Sequence, residues 1–390
     1  MKLAQQLQGI QEKFVHIRRD IHAHPETAFE EHRTASLVAD HLRALGLEVH
    51  TGLGRTGLVG VLRNGSSTRG VGLRADMDAL PIEERNTFAH RSRHAGKMHA
   101  CGHDGHVAML LAAAEVLAGA ADFDGSVYFI FQPAEEGRGG AAEMIRDGLF
   151  ERFPMQAVFG LHNWPGLPVG KFAVRAGPMM ASSDEFEIIV SGKGGHAAMP
   201  HQAADPIVAG SAIVQALQTL VSRNVPPVEA GVVSVTQFHA GDAYNVIAPS
   251  ARLCGTARAF SQEVRDLLEH GLTRVATGLA SGLGTTATVN YRHGYPPTIN
   301  TPDEAAFSAA VAREVLGVGQ VLQDLPPTMG SEDFAFMLQV KPGAYVWLGN
   351  GEGEGGCMLH SPVFDFNDQI IPLGVAYWVR LAQTYLARQG

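Results

Sequence analysis

The chain has 390 residues, 45% of them hydrophobic, and its 39 acidic and 30 Lys and Arg residues give a formal net charge of −9. Single hydrophobic cores stop growing at about 250–300 residues, so this length favours two domains. The acidic balance, with no long run of either sign, argues against a nucleic-acid partner, and no apolar stretch is long enough to cross a bilayer. Three scattered cysteines and an N-terminus without a signal-peptide pattern predict a cytoplasmic protein without a disulfide framework.

The first part of the chain alternates helices with short apolar strands. Apolar residues at helical spacing predict an opening helix from Leu3 to Ile21, and a second helix is predicted from about Glu30 to Leu45. A third, strongly apolar helix is predicted at Val107–Leu117, among strands at Leu58–Leu62, Val71–Arg74, Val127–Phe131 and Ala157–Leu161. Uninterrupted apolar strands flanked by helices are typical of a mostly parallel sheet covered on both faces. We therefore predict an α/β sandwich.

The middle of the chain has a different pattern. A strand, a helix, two strands, a helix and a strand are predicted at Phe186–Val190, Pro206–Val221, Gly231–Phe238, Ala251–Phe260, Gln262–Leu279 and Thr286–Tyr291. This order is the ferredoxin-like α+β pattern, which makes a complete small domain. The α/β pattern then resumes with helices Pro302–Leu316 and Ser331–Leu338, strand Ala344–Leu348 and a last helix from about Gln369. We predict a first domain formed by 1–180 and 294–390, with a second domain inserted at 181–293.

The densest group of chemically active side chains precedes the helix at Val107. It contains three histidines and a cysteine within eight residues, at His99, Cys101, His103 and His106. Cys101 and His103 can face one ion if the intervening glycine allows the backbone to turn tightly, and thiolate and imidazole are both good ligands for zinc-like metals. A polar loop with a buried cysteine is the alternative. We favour a metal site on a loop at the start of the helix.

Two adjacent carboxylates follow a predicted buried strand. Gln132 and Pro133 end the strand at Phe131, and Glu135 and Glu136 come directly after. Carboxylates at this position are costly unless positive charge compensates them, and functional crevices lie at the carboxyl ends of parallel strands. The alternative is that both glutamates begin a solvated loop. Pro133 predicts an extended turn, in which successive side chains point in opposite directions, so one glutamate can bind metal while the other faces substrate.

Two further histidines have similar positions. His162 directly follows the predicted strand Ala157–Leu161, and His360 comes after the strand Ala344–Leu348. A lone histidine is more often structural, and either of these could be so by itself. Four strand ends or loops that each contain a ligand-type residue together favour a metal centre.

At this point the chain resembles a known family, the aminoacylase–carboxypeptidase family of dinuclear metallopeptidases. The closest resemblance is to the branch containing hippurate hydrolases and plant indole-acetyl-amino-acid hydrolases. The matching segments, in chain order, are Arg74-Ala75-Asp76-Met77-Asp78-Ala79-Leu80-Pro81, Cys101-Gly102-His103-Asp104-Gly105-His106, Gln132-Pro133-Ala134-Glu135-Glu136, Gly160-Leu161-His162, Gly194-Gly195-His196-Ala197-Ala198, Tyr244-Asn245-Val246-Ile247, Gly330-Ser331-Glu332-Asp333-Phe334 and His360. Many relatives bridge their two metals with an aspartate, whereas the resemblance puts Cys101 in that role. It implies a zinc-peptidase-like catalytic domain with an inserted lid.

The resemblance also implies roles for individual residues. Two divalent metal ions per subunit are bound by Cys101, which they share, and by His103, Glu136, His162 and His360. Glu135 is then the general base that activates the attacking water. His196 of the lid is implied to reach the active site of a partner subunit and stabilise the oxyanion, so the lid also forms a homodimer or a higher homo-oligomer. Asn245 and Arg258 are implied to bind the substrate.

The implied activity is a metal-dependent amidohydrolase that cleaves small N-acyl amino acids, such as hippurate, to a carboxylic acid and an amino acid. The thiolate of Cys101 favours zinc, cobalt or nickel, while Glu136 and the histidines also suit manganese. A dipeptidase or carboxypeptidase with the same centre is one alternative, and a non-catalytic protein that binds acyl amino acids is another. Asp76 or Asp78 is expected to orient a metal-binding histidine, and the sequence does not choose between them.

Overall fold

The structure is a computed structural model that describes residues 2–351 and 358–387. The chain separates into two compact units. Unit 1 contains Met1–Gly177, Ile299–Pro326 and Asp333–Gly390, and unit 2 contains Pro178–Thr298 and Pro327–Glu332. The insertion predicted from sequence was 181–293. Unit 2 extends past that range at both ends and includes a segment from later in the chain.

Helices and strands are numbered in chain order over the described residues. The helices are α1 (Lys2–Ala23), α2 (His32–Ala44), α3 (His103–Gly119), α4 (Glu135–Arg138), α5 (Gly140–Arg146), α6 (Leu149–Arg152), α7 (Pro206–Thr219), α8 (Gln262–Gly282), α9 (Pro302–Leu316), α10 (Phe334–Val340) and α11 (Ile371–Tyr385). The strands are β1 (Glu48–Leu53), β2 (Gly57–Asn64), β3 (Gly70–Asp76), β4 (Gly125–Gln132), β5 (Ala157–Pro165), β6 (Phe172–Ala173), β7 (Gly177–Met180), β8 (Ser183–Ser191), β9 (Gly195–His196), β10 (Gly231–His239), β11 (Val246–Ile247), β12 (Ser250–Ala259), β13 (Thr286–Tyr295), β14 (Thr298–Asn300), β15 (Val321–Leu322) and β16 (Gly343–Gly351).

Unit 1 is built on a sheet with the strand order β1-β2-β4-β3-β5-β16-β6-β15. The centre of the sheet is parallel, because β3 pairs in parallel with β4 and β5, and β5 pairs in parallel with β16. Strands β1 and β2 continue it on one side in antiparallel fashion. All residues of β3 and β16 are buried, which requires cover on both faces of the sheet. The predicted sandwich with a mostly parallel sheet is confirmed.

The helices of unit 1 form the cover. Helix α3 is apolar around most of its circumference and is buried from His103 to Ala114, as expected of a helix surrounded by protein. It packs against α1, α2 and α11, and α11 also packs against α9. Helices α5 and α10 pack against each other and against the central strands β4, β5 and β16. The central strands are therefore held rigidly on both sides, and their ends can position polar side chains.

Unit 2 has the element order β8, α7, β10, β12, α8 and β13, and its sheet has the strand order β10-β12-β8-β13. All three strand pairs are antiparallel, which is the ferredoxin-like arrangement. Helices α7 and α8 begin at N-caps where Asp205 and Ser261 accept backbone N–H groups, and their apolar faces pack on the sheet. The predicted ferredoxin-like fold of the insertion is confirmed.

Two predicted helix boundaries differ from the structure. Helix α3 begins at His103, so the histidine-rich segment is partly helical and not a loop that ends at Val107. The helix predicted from Ser331 begins at Phe334. Among the helices of the described residues, none combines the length and hydropathy that a membrane span needs.

Candidate metal centre

The site residues in unit 1 are brought together at one edge of the sheet. Strand β3 ends at Asp76 and its neighbour β4 ends at Gln132, and these two residues are paired in the parallel register. The segments that follow contain Asp78 and the two glutamates. On the other side of β3, strand β5 contains His162. Carboxyl ends of parallel strands form the usual crevice of an α/β fold, and the candidate ligands lie there.

Gly102 sets the turn between Cys101 and His103. Its φ of 93° is left-handed, and a Cβ atom at this position would lie 2.2 Å from Oδ1 of Asn163. Only glycine has both the required φ and the required space. The turn leaves Cys101 just before α3 and His103 in its first turn, with both side chains buried.

Cys101 belongs to two groups of possible ligands. One group is Cys101, His103 and His162, and the other is Cys101, Glu136 and His360. Within each group the ligand atoms all lie within 4.8 Å of one another. Sγ of Cys101 is 3.3 Å from Nε2 of His162, and Nε2 of His360 is 3.3 Å from Oε1 of Glu136. Two groups with one common thiol could hold two metal ions that share this ligand.

The two buried histidines present the ring nitrogen that a metal needs. Nδ1 of His103 donates to the carbonyl oxygen of Asp78 at 2.9 Å, and Nδ1 of His162 donates to the carbonyl oxygen of Asn163 at 2.6 Å. These bonds fix the tautomer and leave the Nε2 lone pair available. Nε2 of His103 is buried and has no hydrogen-bond partner among the described residues, which is costly for a polar atom and fits a ligand position.

The electrostatics of the site also favour a cation. Burial lowers the pKa of His103, but Asp76, Asp78 and Glu136 outweigh burial and raise it to about 10. Burial and nearby His106 lower the pKa of His162 well below its usual value, so this ring is neutral. The carboxylates therefore favour a positive charge at the His103 ring, which a metal ion could supply in place of the proton. The residues present fit divalent metal ions.

Asp76 and Asp78 make different hydrogen bonds. Asp78 accepts the backbone N–H of Glu135 at 3.0 Å and that of Glu136 at 2.9 Å, besides the contact of its carbonyl oxygen with His103. Asp76 accepts from Nδ1 of His106 at 2.6 Å. It is Asp78 that directly fixes the His103 tautomer, while the Asp76 carboxylate lies 3.7 Å from Nε2 of the same ring.

His106, which the sequence pattern grouped with the possible ligands, is engaged by protein on both sides of its ring. Nδ1 donates to Asp76, and Nε2 accepts the backbone N–H of Asn163 at 3.0 Å. Because both nitrogens are used, His106 supports the neighbouring segments and is poorly suited to bind metal.

The two adjacent glutamates do not lie on an extended segment, and that part of the sequence prediction was wrong. Ala134 has the left-handed values φ 54° and ψ 41°, and Glu135 begins a single distorted turn in which Glu136 has ψ 78°. Glu135 is 7% exposed, and its Oε1 accepts the backbone N–H of Asp333 at 3.4 Å. Glu136 turns instead toward His360. The two carboxylates thus make different contacts after the kink at Ala134, although an oxygen of each lies within 4.8 Å of the other and of a ring nitrogen of His103.

A buried network that was not predicted from the sequence supports this loop. The guanidinium of Arg74 donates to Gln132 at 2.8 Å, to Asp76 at 2.6 Å and to Asp333 at 3.1 Å. Asp333 also accepts from the side chain of Gln132 at 2.8 Å and from the backbone N–H of Ala141 at 2.9 Å. A signal for it existed, since an arginine inside an apolar strand is buried only if it is paired.

A second buried network holds the start of α3. Asp104 follows His103 directly and accepts from Arg18 at 3.2 Å and from His22 at 2.9 Å, and all three side chains are fully buried. Burial lowers the pKa of His22, but Asp104 and Glu84 outweigh it and raise the pKa to about 9. Helix α1 is thereby attached to the helix whose first residue is a candidate ligand.

Two tryptophans lie beside His162. Trp164 and Trp347 stack with ring centroids 4.0 Å apart and an interplanar angle of 11°. Trp347 is paired with His162 in the parallel register of β16 and β5, and the rings of His162 and Trp164 are 6.2 Å apart. The stack is a large apolar surface beside His162.

The remaining candidate residues lie in unit 2. His196 is exposed on β9, pairs with Val246 of β11, and accepts the N–H of Ala198 at its Nδ1, 3.1 Å away. Asn245 is also exposed. It lies next to the His196 segment, since the carbonyl oxygen of Asn245 accepts the N–H of Ala197 at 3.0 Å. Arg258 on β12 is half-buried, and it donates to the carbonyl oxygen of Met329 at 3.5 Å. Burial lowers the pKa of its guanidinium.

Comparison with known proteins places this site in a family. The model of the peptidase family M20/M25/M40 matches residues 72–384. The chain is 42% identical over 386 residues to a hippurate hydrolase of Campylobacter jejuni, covering 99% of this chain and 100% of that protein. It is 40% identical over 376 residues to IAA-amino acid hydrolase ILR1-like 2 of Arabidopsis thaliana, covering 95% and 85%.

A solved structure gives the same result. The crystal structure of the Bacillus subtilis YxeP protein, described as a dinuclear metal-binding peptidase of the M20 family, has a TM-score of 0.85 to this chain. It is 33% identical, and the match covers 97% of this chain and 99% of that one. The family and the branch that the motifs predicted are therefore confirmed. The chain belongs to the peptidase family M20/M25/M40.

Proposed function

We propose that this chain is a metal-dependent amidohydrolase that cleaves N-acyl amino acids to a carboxylic acid and a free amino acid. The hippurate, IAA-amino acid and N-acetylcysteine activities in the names of its relatives are all hydrolyses of such amides. The observation that argues most directly for catalysis is the position of Glu135. It is a nearly buried carboxylate with an oxygen within 4.8 Å of ligand atoms of His103 and Glu136, and neither of the two groups that contain Cys101 includes it.

We propose that two divalent cations bind at Cys101, one together with His103 and His162 and the other together with Glu136 and His360. Support comes from the shared thiol, the buried Nε2 of His103 without a partner, and the carboxylates around it. Such cations polarise a carbonyl oxygen and lower the pKa of a bound water from about 15.7 toward 7. Zinc and manganese are the preferred candidates, and cobalt or nickel also suit this mixture of thiol, imidazole and carboxylate ligands.

Glu135 is the proposed general base. Its carboxylate accepts a proton from the attacking water as the new C–O bond forms at the amide carbon. It then gives this proton to the amide nitrogen as the C–N bond breaks, so the amino acid leaves as a neutral amine. The Asp333 N–H bond to Oε1 and the Asp78 bonds to the loop backbone hold the carboxylate in one orientation.

Unit 2 is proposed to act as the lid, with His196 stabilising the oxyanion and Asn245 and Arg258 binding substrate. The side chains of His196 and Asn245 are exposed on adjacent segments, which suits groups that meet a ligand. Arg258 is half-buried, and the hydrogen bond it makes within the described residues is to a backbone carbonyl, so a substrate carboxylate would be a better partner for its charge.

We further propose that unit 2 forms a homodimer. Several of its large apolar side chains are exposed on α7, β10 and the segments around β9 and β11, namely Met199, Ile207, Val208, Phe238, Tyr244 and Val246. Phe238 lies against α7 at Gly210, which joins the strand and the helix into one surface. Exposed apolar surface of this kind is typical of an interface.

The test is an assay of amino acid release from a panel of N-acyl amino acids and dipeptides, with protein reconstituted with zinc or manganese and Glu135→Gln as the matched control. We expect hydrolysis of N-benzoylglycine and related acyl amino acids that exceeds hydrolysis of dipeptides. Faster turnover of peptides would identify a dipeptidase or carboxypeptidase instead. Binding of acyl amino acids without turnover by the reconstituted protein would reject the enzymatic proposal.

A further inference from the structure

The loop between β4 and α5 has an unusual arrangement of backbone donors. The amides of three consecutive residues, Ala134, Glu135 and Glu136, all donate to buried carboxylate side chains. Asp78 accepts the second and third of these amides. The first is accepted at 2.9 Å by Oε1 of Glu31, which lies about a hundred residues earlier in the chain.

Glu31 is built into the protein as a fixed acceptor. Its side chain is fully buried at the start of α2. Oε1 accepts the N–H of Phe29 at 3.0 Å as well as that of Ala134, and Oε2 accepts the hydroxyl hydrogen of Thr56. One carboxylate thus joins the start of α2, the turn before β2 and the loop after β4. Thr56 and Ala134 are buried, so their donors would be costly without this acceptor.

The backbone at Ala134 explains why such an acceptor is needed. Ala134 has φ 54°, a conformation that residues with a Cβ atom adopt infrequently. This kink directly precedes Glu135 and Glu136 and so sets the direction in which their side chains leave the backbone. A strained backbone persists only when its surroundings hold it, and the Ala134 N–H is held by Glu31.

We propose that Glu31 is a positioning residue for the hydrolysis: it holds the Ala134 kink and thereby aims the Glu135 carboxylate. The inference rests on the proposed function for its catalytic consequence, but its structural part is independent of activity. Among the described residues the hydrogen-bond partners of Glu31 are Phe29, Thr56 and Ala134, and none of the three belongs to a ligand group. Its role therefore depends on hydrogen-bond geometry, and glutamine should replace it.

The prediction distinguishes four variants. Glu31→Gln keeps an oxygen acceptor for Ala134 and Phe29 and a donor toward Thr56, so kcat should remain within about twofold of wild type. Glu31→Ala should lower kcat by about 10- to 100-fold with KM little changed, as expected when a catalytic group is displaced by about 1 Å. Glu31→Asp, whose oxygens do not reach as far, should lie between them. Glu30→Gln is the matched control, because the neighbouring Glu30 is exposed and pairs with Lys97.

A second measurement does not depend on turnover. Hydrogen–deuterium exchange of the peptide that contains Ala134 should accelerate in metal-free Glu31→Ala and Glu31→Asp protein, and should remain at the wild-type rate in Glu31→Gln and Glu30→Gln. If Glu31→Ala does not fold, Glu31→Asp takes its place in both measurements. Wild-type exchange and kcat in Glu31→Ala, or in Glu31→Asp as its substitute, would overturn the proposal. So would a Glu31→Gln variant as impaired as Glu31→Ala. Failure of the wild-type chain to hydrolyse acyl amino acids would reject the proposed function and leave the exchange result standing.

Discussion

The candidate residues of the two units differ in how they are held. In unit 1, His103, His162 and Glu135 are buried, and each has a hydrogen bond that fixes its orientation. In unit 2, His196 and Asn245 are exposed and are fixed mainly through their backbone. Buried polar groups are retained only when they are paired, so unit 1 has a preorganised centre. Unit 2 presents its candidate side chains at its own surface.

The contrast predicts that substitutions in unit 1 change the chemistry or the metal content, and that substitutions in unit 2 act through assembly. The largest effect should come from Glu135→Gln, which keeps the shape but removes the base. We expect kcat to fall by about 10²–10⁴-fold, or about 3–5 kcal/mol, while metal content stays at the wild-type level. Kinetics together with elemental analysis of the same preparation measure both quantities.

Glu136→Gln is the matched control for that experiment. It should lose metal, and added metal should partly restore activity, because Glu136 belongs to a ligand group with Cys101 and His360. If Glu135→Gln sheds metal and Glu136→Gln retains it, the two roles are reversed. If neither substitution matters, the centre is not where we place it.

Cys101→Ala should weaken metal binding at both groups. Loss of a residue that hydrogen-bonds to a metal ligand typically lowers metal affinity by about 10- to 100-fold. Loss of the ligand Cys101 itself should lower the affinity by at least as much. Titration with chelators, monitored by elemental analysis, gives the affinities. Cys101→Asp is the informative companion, since a carboxylate can also bridge and should retain more metal than alanine. Full occupancy and turnover in Cys101→Ala would exclude a shared thiolate.

The buried carboxyl group of Glu31 predicts that the stability of the protein depends on pH. Burial, and then the nearby charge of Asp78, raise the pKa of Glu31 from 4.5 to about 7, although the Thr56 hydroxyl and backbone amides oppose the change. Since the folded pKa is raised, Glu31 favours the fold below pH 4.5 and loses this contribution as pH rises to about 7. Glu31→Gln lacks this titration.

The variant should therefore gain stability relative to wild type between pH 5 and pH 8, by at most about 3 kcal/mol. Urea unfolding of both proteins at several pH values measures the difference, with Glu30→Gln as the control that should follow wild type. A stability difference between Glu31→Gln and wild type that is independent of pH would show that Glu31 does not titrate in this range.

The smallest expected effect concerns assembly through unit 2. An inactive His196→Ala chain mixed with an inactive Glu135→Gln chain should regain up to about a quarter of wild-type activity, because half of the dimers are hybrids with one intact site of two. Subunit exchange is verified by mass spectrometry with chains of different mass. No recovery after verified exchange would place His196 in the site of its own subunit or outside catalysis.

Much of the fold followed from local patterns, which also marked candidate ligands, whereas the ligand set itself was implied by the family resemblance. Apolar runs gave the central strands, and a residue such as His162 near a strand end pointed to the crevice. Strand β1 was not predicted because it is largely exposed and lacks an apolar run. Helix α3 was predicted to begin late because its first turn contains polar residues, and their buried partners, among them Arg18 and His22, lie far away in sequence.

The partners of the supporting residues could not be predicted from the sequence, for a physical reason. Glu31 holds Ala134 across about a hundred residues, and Asp333 meets Arg74 across more than two hundred. Neither contact leaves a local periodicity, and Pro133 restricts the backbone of Gln132 before it but does not determine that of Ala134 after it. The same limit explains why the sequence did not choose between Asp76 and Asp78, since that choice depends on which atom of each residue faces His103.

The stacked tryptophans have a practical consequence for spectroscopy. The chain has three tryptophans, and two of them form the stack beside His162. Indole emission is quenched by nearby ions with partly filled d shells, such as cobalt and nickel, whereas zinc has a filled shell and does not quench in this way. Binding of cobalt at the ligand group that contains His162 should therefore lower the intensity of the intrinsic fluorescence. Exchange of cobalt for zinc should restore it. The stacked tryptophans would thus report occupancy of the proposed group that contains His162, without any added label.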